Sequence, residues 1–385
     1  MSITIPRLSA SLLALLPVFS QDAARRPASS PRGGDDLSAE LEAIRAATDA
    51  TGLVALAVQD GAVVAWGAAG VRVAGSKDPL RIEDPIHLGS CTKAMTATLV
   101  ARLVEDGVLA WDTTIAQALP EFSKEIDPGF HGITVEQLLR HLGGIAERRR
   151  PEISALHEVL SGMRGPANVV RRDILGKVLA QPPSPSTAGA FDYSNFGYMT
   201  VGLMLEERTG KTWEELMVDK LFEPMDLASA GIGSPAGEGV PVGHLRENDA
   251  WSPLPPGPAG YLPDAMAPAG LAHMNLFDWA KVVGEHLAGE RGEDGLVSAA
   301  SYRRLHADPG TTYAAGWGLS RLQWSWGESS VLTHNGSDNT WLSLVLALPE
   351  WDIAILTAAN CAEAAGQQAT DQAKELLLRT LGLRD

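Results

Sequence analysis

Strand-forming patterns sit at the two ends of this chain and hardly anywhere between, and that placement restricts the fold more than any other feature. Near the start, "GLVALAVQDGAVVAWGAAGVRV" reads as two strands around Asp60-Gly61, a pair that accepts the left-handed conformation a tight hairpin needs. Just before it, Leu37, Leu41, Ile44 and Ala47 recur at helical spacing within "LSAELEAIRAATDAT". Strand patterns return from Tyr313 on, as "YAAGWGLSRLQWSW", "SSVLTHNGS", "TWLSLVLALP" and "WDIAILTAAN". A helix, "AGQQATDQAKELLLRTLG", closes the chain. Between the two groups, from Ser90 to about Glu290, lie helical patches broken by Pro-rich loops such as "AQPPSPSTAGAF" and "WSPLPPGPAGYLP". There is no internal repeat. The pattern predicts an α/β fold, with one sheet assembled from both termini and a helical region inserted between them.

Composition narrows the function. The 385 residues are 45% hydrophobic, enough for a large core. The net charge of -16 would repel phosphate backbones, which argues against nucleic acid as a partner. The short basic run Arg148, Arg149, Arg150 reads as a solvated loop rather than a binding patch. At the N-terminus, Arg7 precedes "LSASLLALLPVF", an apolar stretch too short to span a bilayer comfortably. Residues 1–20 are therefore expected to be a signal peptide, with Val18 and Ser20 at the small-residue positions of a cleavage site. An uncleaved anchor or a disordered tail is the alternative. The polar, Pro-, Gly- and Ser-rich stretch 21–36 reads as a flexible tether. No later segment is long and apolar enough to cross a membrane. The expectation is an exported protein, periplasmic or secreted, with no stable membrane span after cleavage.

Three short motifs carry candidate chemistry. Ser90-Cys91-Thr92-Lys93 follows Gly89 and opens a helical run. A serine there meets free backbone N–H groups and the positive end of the helix dipole. Residues three apart share a helix face, so Lys93 can reach Ser90. The stripe Ala94, Leu99, Leu103, Val104 buries this helix, and a buried lysine loses hydration and becomes a usable base. A capping serine with a snorkelling lysine would give the same pattern. Cys91 reads as a small buried apolar side chain rather than a competing nucleophile. With Cys361 it makes a chain of two cysteines, which is no disulfide scaffold.

Downstream, Tyr193-Ser194-Asn195 follows a Pro-rich loop and opens a helix. The tyrosine could carry protons and the asparagine could bond Lys93 and a substrate amide. A core tyrosine with a capping asparagine is the plainer alternative. Last, His334-Asn335-Gly336-Ser337 ends a strand pattern. Gly336 would admit a substrate backbone, and the Ser337 N–H could join that of Ser90 as an oxyanion hole. The same residues also fit a hairpin turn or a glycosylation acceptor. A turn at Asp338-Asn339 would leave His334 to Ser337 on the strand.

Taken in order, these motifs resemble those of the serine β-lactamases and penicillin-recognising enzymes, in particular the class C branch. That branch includes D-alanyl-D-alanine carboxypeptidases and esterases. Its motifs are Ser-x-x-Lys, Tyr-x-Asn, and Lys-Thr-Gly or His-x-Gly. They are matched by Ser90 with Lys93, Tyr193 with Asn195, and His334 with Gly336. The stretches "WGAAGVR", "ITVEQLLRHLGGI", "APAGLAHMNLFDWAKVV" and "YAAGWGL" resemble further landmarks, so the likeness runs from about Leu37 to Gly382. It departs where Leu142-Gly143 replaces Thr-Ser and where "GLAHMN" replaces a Gly-Gly-Leu run. It departs again at His334-Asn335, where β-lactamases carry Lys and a hydroxyl residue.

The resemblance implies an α/β sandwich with an antiparallel sheet. The α/β lobe would comprise about 37–89 and 290–385, and an all-helical lobe about 90–289, within one catalytic domain 37–385. It implies catalysis by Ser90, Lys93 and Tyr193, and substrate binding by Asn195, His334, Asn335 and Gly336. The backbone N–H groups of Ser90 and Ser337 would form the oxyanion hole. No metal or organic cofactor is implied. The substrate would be a small ester, amide or peptide. An esterase or D-amino-peptide hydrolase is favoured by the altered third motif. A β-lactamase or D-alanyl-D-alanine carboxypeptidase is the alternative, and a non-catalytic, penicillin-binding-like peptide module is the contrasting reading. Six of the ten tryptophans fall between Trp279 and Trp351, which fits an aromatic-rimmed, fairly apolar cleft, with most of those rings filling the core as the alternative.

Other chemistry lacks support. No Gly-x-Ser-x-Gly elbow is present. No second histidine follows "HEVLS" at zinc-site spacing. "GIGSPAG" lacks the strand and helix of a nucleotide loop.

Overall fold

The computed structural model describes residues 33–184, 189–254 and 262–384. The expected signal peptide, most of the expected tether, and parts of the two Pro-rich loops lie outside the described residues. Twelve strands are present among them. β1 (Asp35–Asp36), β2 (Gly52–Gln59), β3 (Ala62–Gly70) and β4 (Ile86–His87) come first. β5 (Gly231–Ile232), β6 (His244–Glu247), β7 (Ala250–Pro253) and β8 (Ala272–Met274) lie in the middle. β9 (Gly318–Trp324), β10 (Gly327–Ser337), β11 (Leu342–Leu348) and β12 (Ile353–Ala359) end the series.

Seven strands form the main sheet in the order β1-β3-β2-β12-β11-β10-β9. The two chain ends meet where β2 pairs antiparallel with β12, from Ile353 opposite Gln59 to Ala359 opposite Leu53. The β2–β3 turn has Asp60 at φ 50° and Gly61 at φ 71°, the two left-handed residues that a hairpin of matching twist requires. One departure from a wholly antiparallel sheet is β1, which runs parallel to β3. Asp35 and Asp36, the last residues of the expected tether, thus join the sheet edge through backbone pairing that needs no apolar pattern.

β11 and β12 are buried at every residue because helices cover both faces of the sheet. Alternate side chains separate into two cores. Leu344, Leu346, Ile353 and Ile355 pack with Leu41, Leu377 and Leu378 from the helices Ser38–Thr48 and Glu363–Thr380. Val345, Leu356 and Ala358 face the other way, with Leu99, Trp279 and Val283 from the helices Thr92–Glu105 and Leu276–Arg291. This second core continues into the inserted region through Tyr198, Met204, Trp213 and Leu175. The insert is held by a fully buried Arg171, which bonds Glu206, Glu214 (2.7 Å) and the Ala265 carbonyl (2.9 Å). It is not all-helical, as the resemblance implied, because it also carries the short strands β5 to β8. β8 pairs with β4 on one side and β5 on the other, which fixes the segment leading into Ser90.

Nine of the ten tryptophans belong to these cores or pack against them, and Trp326 is exposed. Trp213, Trp279, Trp317 and Trp341 are among the largest fully buried side chains. None of the ten lines the cleft described below, so the expected aromatic rim is not built from tryptophan.

Candidate active site

Ser90 stands where β4 gives way to a helix. The Leu88 N–H bonds the Ala272 carbonyl (2.9 Å) and Thr92 Oγ1 accepts from the Ala272 N–H (2.9 Å), so both sides of the serine are tied to β8. Gly89 is left-handed at φ 50°, and a Cβ there would collide with the Ser337 amide nitrogen. A Cβ on Gly336 would collide with the Leu88 carbonyl oxygen. The two glycines therefore let the end of β10 lie directly against the Ser90 turn, and the Ser337 amide comes beside it. His334 to Ser337 are on the strand, with the turn beyond them at Asp338 to Trp341, where Asn339 has φ 73°.

Lys93 is completely buried because the helix Thr92–Glu105 is enclosed on nearly all sides. Its Nζ lies 3.1 Å from Ser90 Oγ, 2.8 Å from Asn195 Oδ1 and 2.6 Å from the Ala269 carbonyl. Burial pushes its pKa down to about 7; the nearby Glu147 charge works against that shift. A neutral amine donates two of these bonds and has a lone pair left for the Ser90 hydroxyl proton.

Tyr193 contacts the Ser90 hydroxyl through its phenol, and burial raises that phenol above its ordinary range. Its ring lies 4.8 Å from Lys93 Nζ. Asn195 begins the helix Asn195–Thr209, capped by Ser194 Oγ on the Gly197 N–H (3.1 Å). With Oδ1 on Lys93, its Nδ2 donates to Glu147 (3.2 Å).

Glu147 is a part of the site that the sequence did not announce. Its buried carboxylate also accepts from Ser194 Oγ (2.7 Å), the Phe196 N–H (3.0 Å) and His157 Nε2 (2.8 Å). Burial opposes its charge, but these bonds hold its carboxyl below the usual range. His141 and Tyr313 were missed as well. His141 Nδ1 accepts from the Ser194 N–H (3.1 Å), and its ring lies 4.3 Å from that of Tyr193. Burial holds that imidazole neutral.

His334 is buried on β10. Its Nδ1 donates to the Asn335 carbonyl (2.7 Å), which leaves Nε2 to accept from the Tyr313 hydroxyl (2.8 Å). Burial and the Lys93 charge push its pKa down to about 3, so it carries no charge near neutrality. Asn335, on the other face of the strand, is exposed toward the cleft. Cys91 points away from the cleft, with Sγ 3.5 Å from the His334 carbonyl and 3.5 Å from Ser343 Oγ. Burial pushes its thiol up to about 12, which leaves it inert beside the serine. Both cysteines are free and buried.

A cleft of about 750 Å³ brings Ser90, Tyr193, Asn195, His334, Asn335, Gly336 and Ser337 together, with Lys93 enclosed behind Ser90. Arg148 and Tyr313 line it too, so one arginine of the solvent-exposed run 148–150 also stands at the cleft. A larger cavity of about 890 Å³ lies against β9 and β10, lined by Glu290, His306 and Trp351, and holds none of the three motifs.

Comparison with known proteins fits this geometry. The family model described as Beta-lactamase matches residues 37–379. The chain belongs to the beta-lactamase family. Members of this family are serine hydrolases acting on amide and ester bonds. Penicillin-binding protein 4 of Amycolatopsis lactamdurans is 28% identical over 335 residues, 82% of either chain. Unguisins hydrolase ungD' of Aspergillus campestris is 26% identical over 299 residues, 71% of this chain and 52% of that one. Among solved structures, a D-stereospecific amidohydrolase from Streptomyces superposes with a TM-score of 0.67 at 21% identity, covering 87% of this chain and 96% of its own. A class C beta lactamase from Rhodobacter sphaeroides gives 0.67 at 18% identity, covering 89% and 98%. These structures share the beta-lactamase-family fold.

Proposed function

We propose that this beta-lactamase-family chain is an acyl-transferring hydrolase in which Ser90 is the nucleophile, acting on esters and on amides of the D-amino-acid type in preference to β-lactams. The observation that carries this reading is the buried Lys93 amine, 3.1 Å from Ser90 Oγ and held by Asn195. A binding module would gain nothing from an amine kept dehydrated beside a hydroxyl.

In the proposed reaction, the Ser90 hydroxyl gives its proton to the neutral Lys93 amine as Oγ attacks the substrate carbonyl carbon. The carbonyl π electrons move to oxygen, and the N–H groups of Ser90 and Ser337 stabilise that oxyanion. The tetrahedral intermediate collapses with loss of the leaving group. That group takes a proton from the Tyr193 phenol, which is replenished from Lys93. Water then attacks the acyl-enzyme by the reverse relay and frees the acid. Tyr193 serves as a proton carrier rather than a standing phenolate, because burial raises its pKa. Asn195 and Glu147 hold Lys93 in place.

The substrate preference follows from the third motif. A β-lactam carboxylate needs a cation or hydroxyl there. His334 is neutral and its Nε2 is already bonded to Tyr313, and Asn335 offers only an amide. Residues 1–20 would export the enzyme, and secretion of a reporter fused after Ser20 would test that step. The activity test compares kcat/KM for a nitrophenyl ester, a D-amino-acid anilide and a chromogenic cephalosporin. The reading predicts turnover of the first two and little of the third. Cephalosporin turnover that rivals the ester would make the protein a β-lactamase despite its altered motif.

A further inference from the structure

The geometry points to Arg148 as an anion-binding residue of the cleft, selecting substrates that carry a carboxylate on the acyl portion, the part that stays on Ser90. This rests on the hydrolytic reading above and names its substrate class.

Arg148 differs from its two neighbours. Arg149 lies 3.7 Å from Asp192, and Arg150 bonds Glu152 (2.8 Å) and the Pro182 carbonyl (2.7 Å). Arg148 has no acid within ion-pair distance among the described residues. Its guanidinium lies over the Tyr193 ring, 4.5 Å from the centroid, and it lines the same cleft as Ser90. The other cation lining that cleft, Lys374, is already neutralised by Asp371 (3.3 Å) and Glu375 (3.5 Å). A chain of net charge -16 thus keeps an exposed guanidinium with no ion-pair partner in the cleft of its nucleophile.

The backbone holds it there. Ala146 is left-handed at φ 57°, and its carbonyl accepts the N–H groups of Arg149 (3.1 Å) and Arg150 (3.0 Å) in a tight turn. The adjoining Glu147 is anchored by four hydrogen bonds, from His157, Ser194, Asn195 and Phe196. Arg148 therefore projects into the cleft beside Tyr193. A planar guanidinium stacked on an aromatic ring keeps its N–H edge free for bidentate recognition of a carboxylate. The third motif has given up its charge, and the cleft's free charge stands on Arg148 instead. We place the anion on the acyl portion, where it stays in the cleft with Arg148 through both acylation and deacylation. The matching substrates are half-esters and half-amides of short dicarboxylic acids, acidic acyl residues of peptides included.

The test measures kcat/KM for nitrophenyl pentanoate and nitrophenyl hemiglutarate on wild type, Arg148→Gln and Arg148→Glu. The hemiglutarate-to-pentanoate ratio should fall about fivefold in Arg148→Gln, the size expected of one partly solvated charge pair, and further in Arg148→Glu. In wild type the same ratio should shrink at high salt. A ratio unmoved by Arg148→Gln would overturn the proposal. So would a loss that appears only when the carboxylate is moved to the leaving group, as in the acetate ester of a carboxy-nitrophenol. Calorimetric binding of glutarate monoamide to Ser90→Ala, with and without Arg148→Gln, reads the anion site without turnover. Failure of wild type to cleave either ester would sink the hydrolytic reading, while the binding arm would still decide Arg148.

Discussion

Replacing Lys93 by methionine should abolish activity and at the same time change how stability depends on pH. The amine is fully buried, and its pKa moves from 10.5 to about 7. Between those values the unfolded chain binds a proton that the folded chain does not. Stability must therefore rise with pH across that window, and the penalty is fully present below pH 7. Integrating one site with those two constants gives a gain of about 2 kcal/mol between pH 7 and pH 9, at 1.36 kcal/mol per pKa unit. Lys93→Met has no such group, and its longer-lived cost is the two acceptors it abandons, Asn195 Oδ1 and the Ala269 carbonyl, at about 1–3 kcal/mol each if left unpaired. The diagnostic is thus the pH slope rather than the absolute value. Urea unfolding of both proteins at pH 7, 8 and 9 gives the difference, in which titrations common to both cancel. Wild type should gain about 2 kcal/mol on the variant over that range. Parallel curves would mean that Lys93 keeps its proton in the folded enzyme and cannot serve as the ground-state base. Ester turnover by the variant should fall by about two orders of magnitude or more.

Other perturbations test separate parts of the site. In wild type, kcat/KM for a neutral ester should rise through about pH 7 as Lys93 loses its proton. Glu147→Gln should move that limb to lower pH, since the Glu147 charge raises the Lys93 pKa; a limb that stays fixed would refute the coupling. Gly336→Ala should lower Tm and activity together, because its Cβ would strike the Leu88 carbonyl behind the nucleophile, and near wild-type behaviour would mean that β10 and the Ser90 turn are not in contact. His334→Lys with Asn335→Thr should raise the cephalosporin-to-ester ratio of kcat/KM, and an unchanged ratio would show that the third motif does not set this preference.

Much of this architecture was legible from local pattern. The Asp60-Gly61 hairpin, the last four strands and the closing helix all announce themselves within a few residues. Ser90 and Lys93 are likewise related by helical spacing alone. What stayed hidden depends on distant segments meeting. Glu147 is 48 residues from Asn195, and Tyr313 meets His334 only because the Tyr313–Trp317 segment folds back beside β10. The arginine run reads as a solvated loop, and its residues do lie at the surface. Arg148 is exposed as well, but the turn at Ala146 and the buried Glu147 also set it at the cleft, and neither constraint shows in a run of three identical residues. Of the two readings of the clustered tryptophans, core filling holds for most of them, while the cleft takes its aromatic surface from Tyr193 and Tyr313. The protonation state of Lys93 needed the packed helix, since burial is its dominant cause.

The central claim is a covalent acyl intermediate on Ser90. Rapid acid quench of wild type during turnover of a nitrophenyl ester, followed by peptide mass spectrometry, measures it directly. The account predicts one acyl group per chain on the peptide containing Ser90, absent in Ser90→Ala and retained in Cys91→Ala. Steady product formation with no adduct at Ser90, or an adduct carried by Cys91, would contradict it.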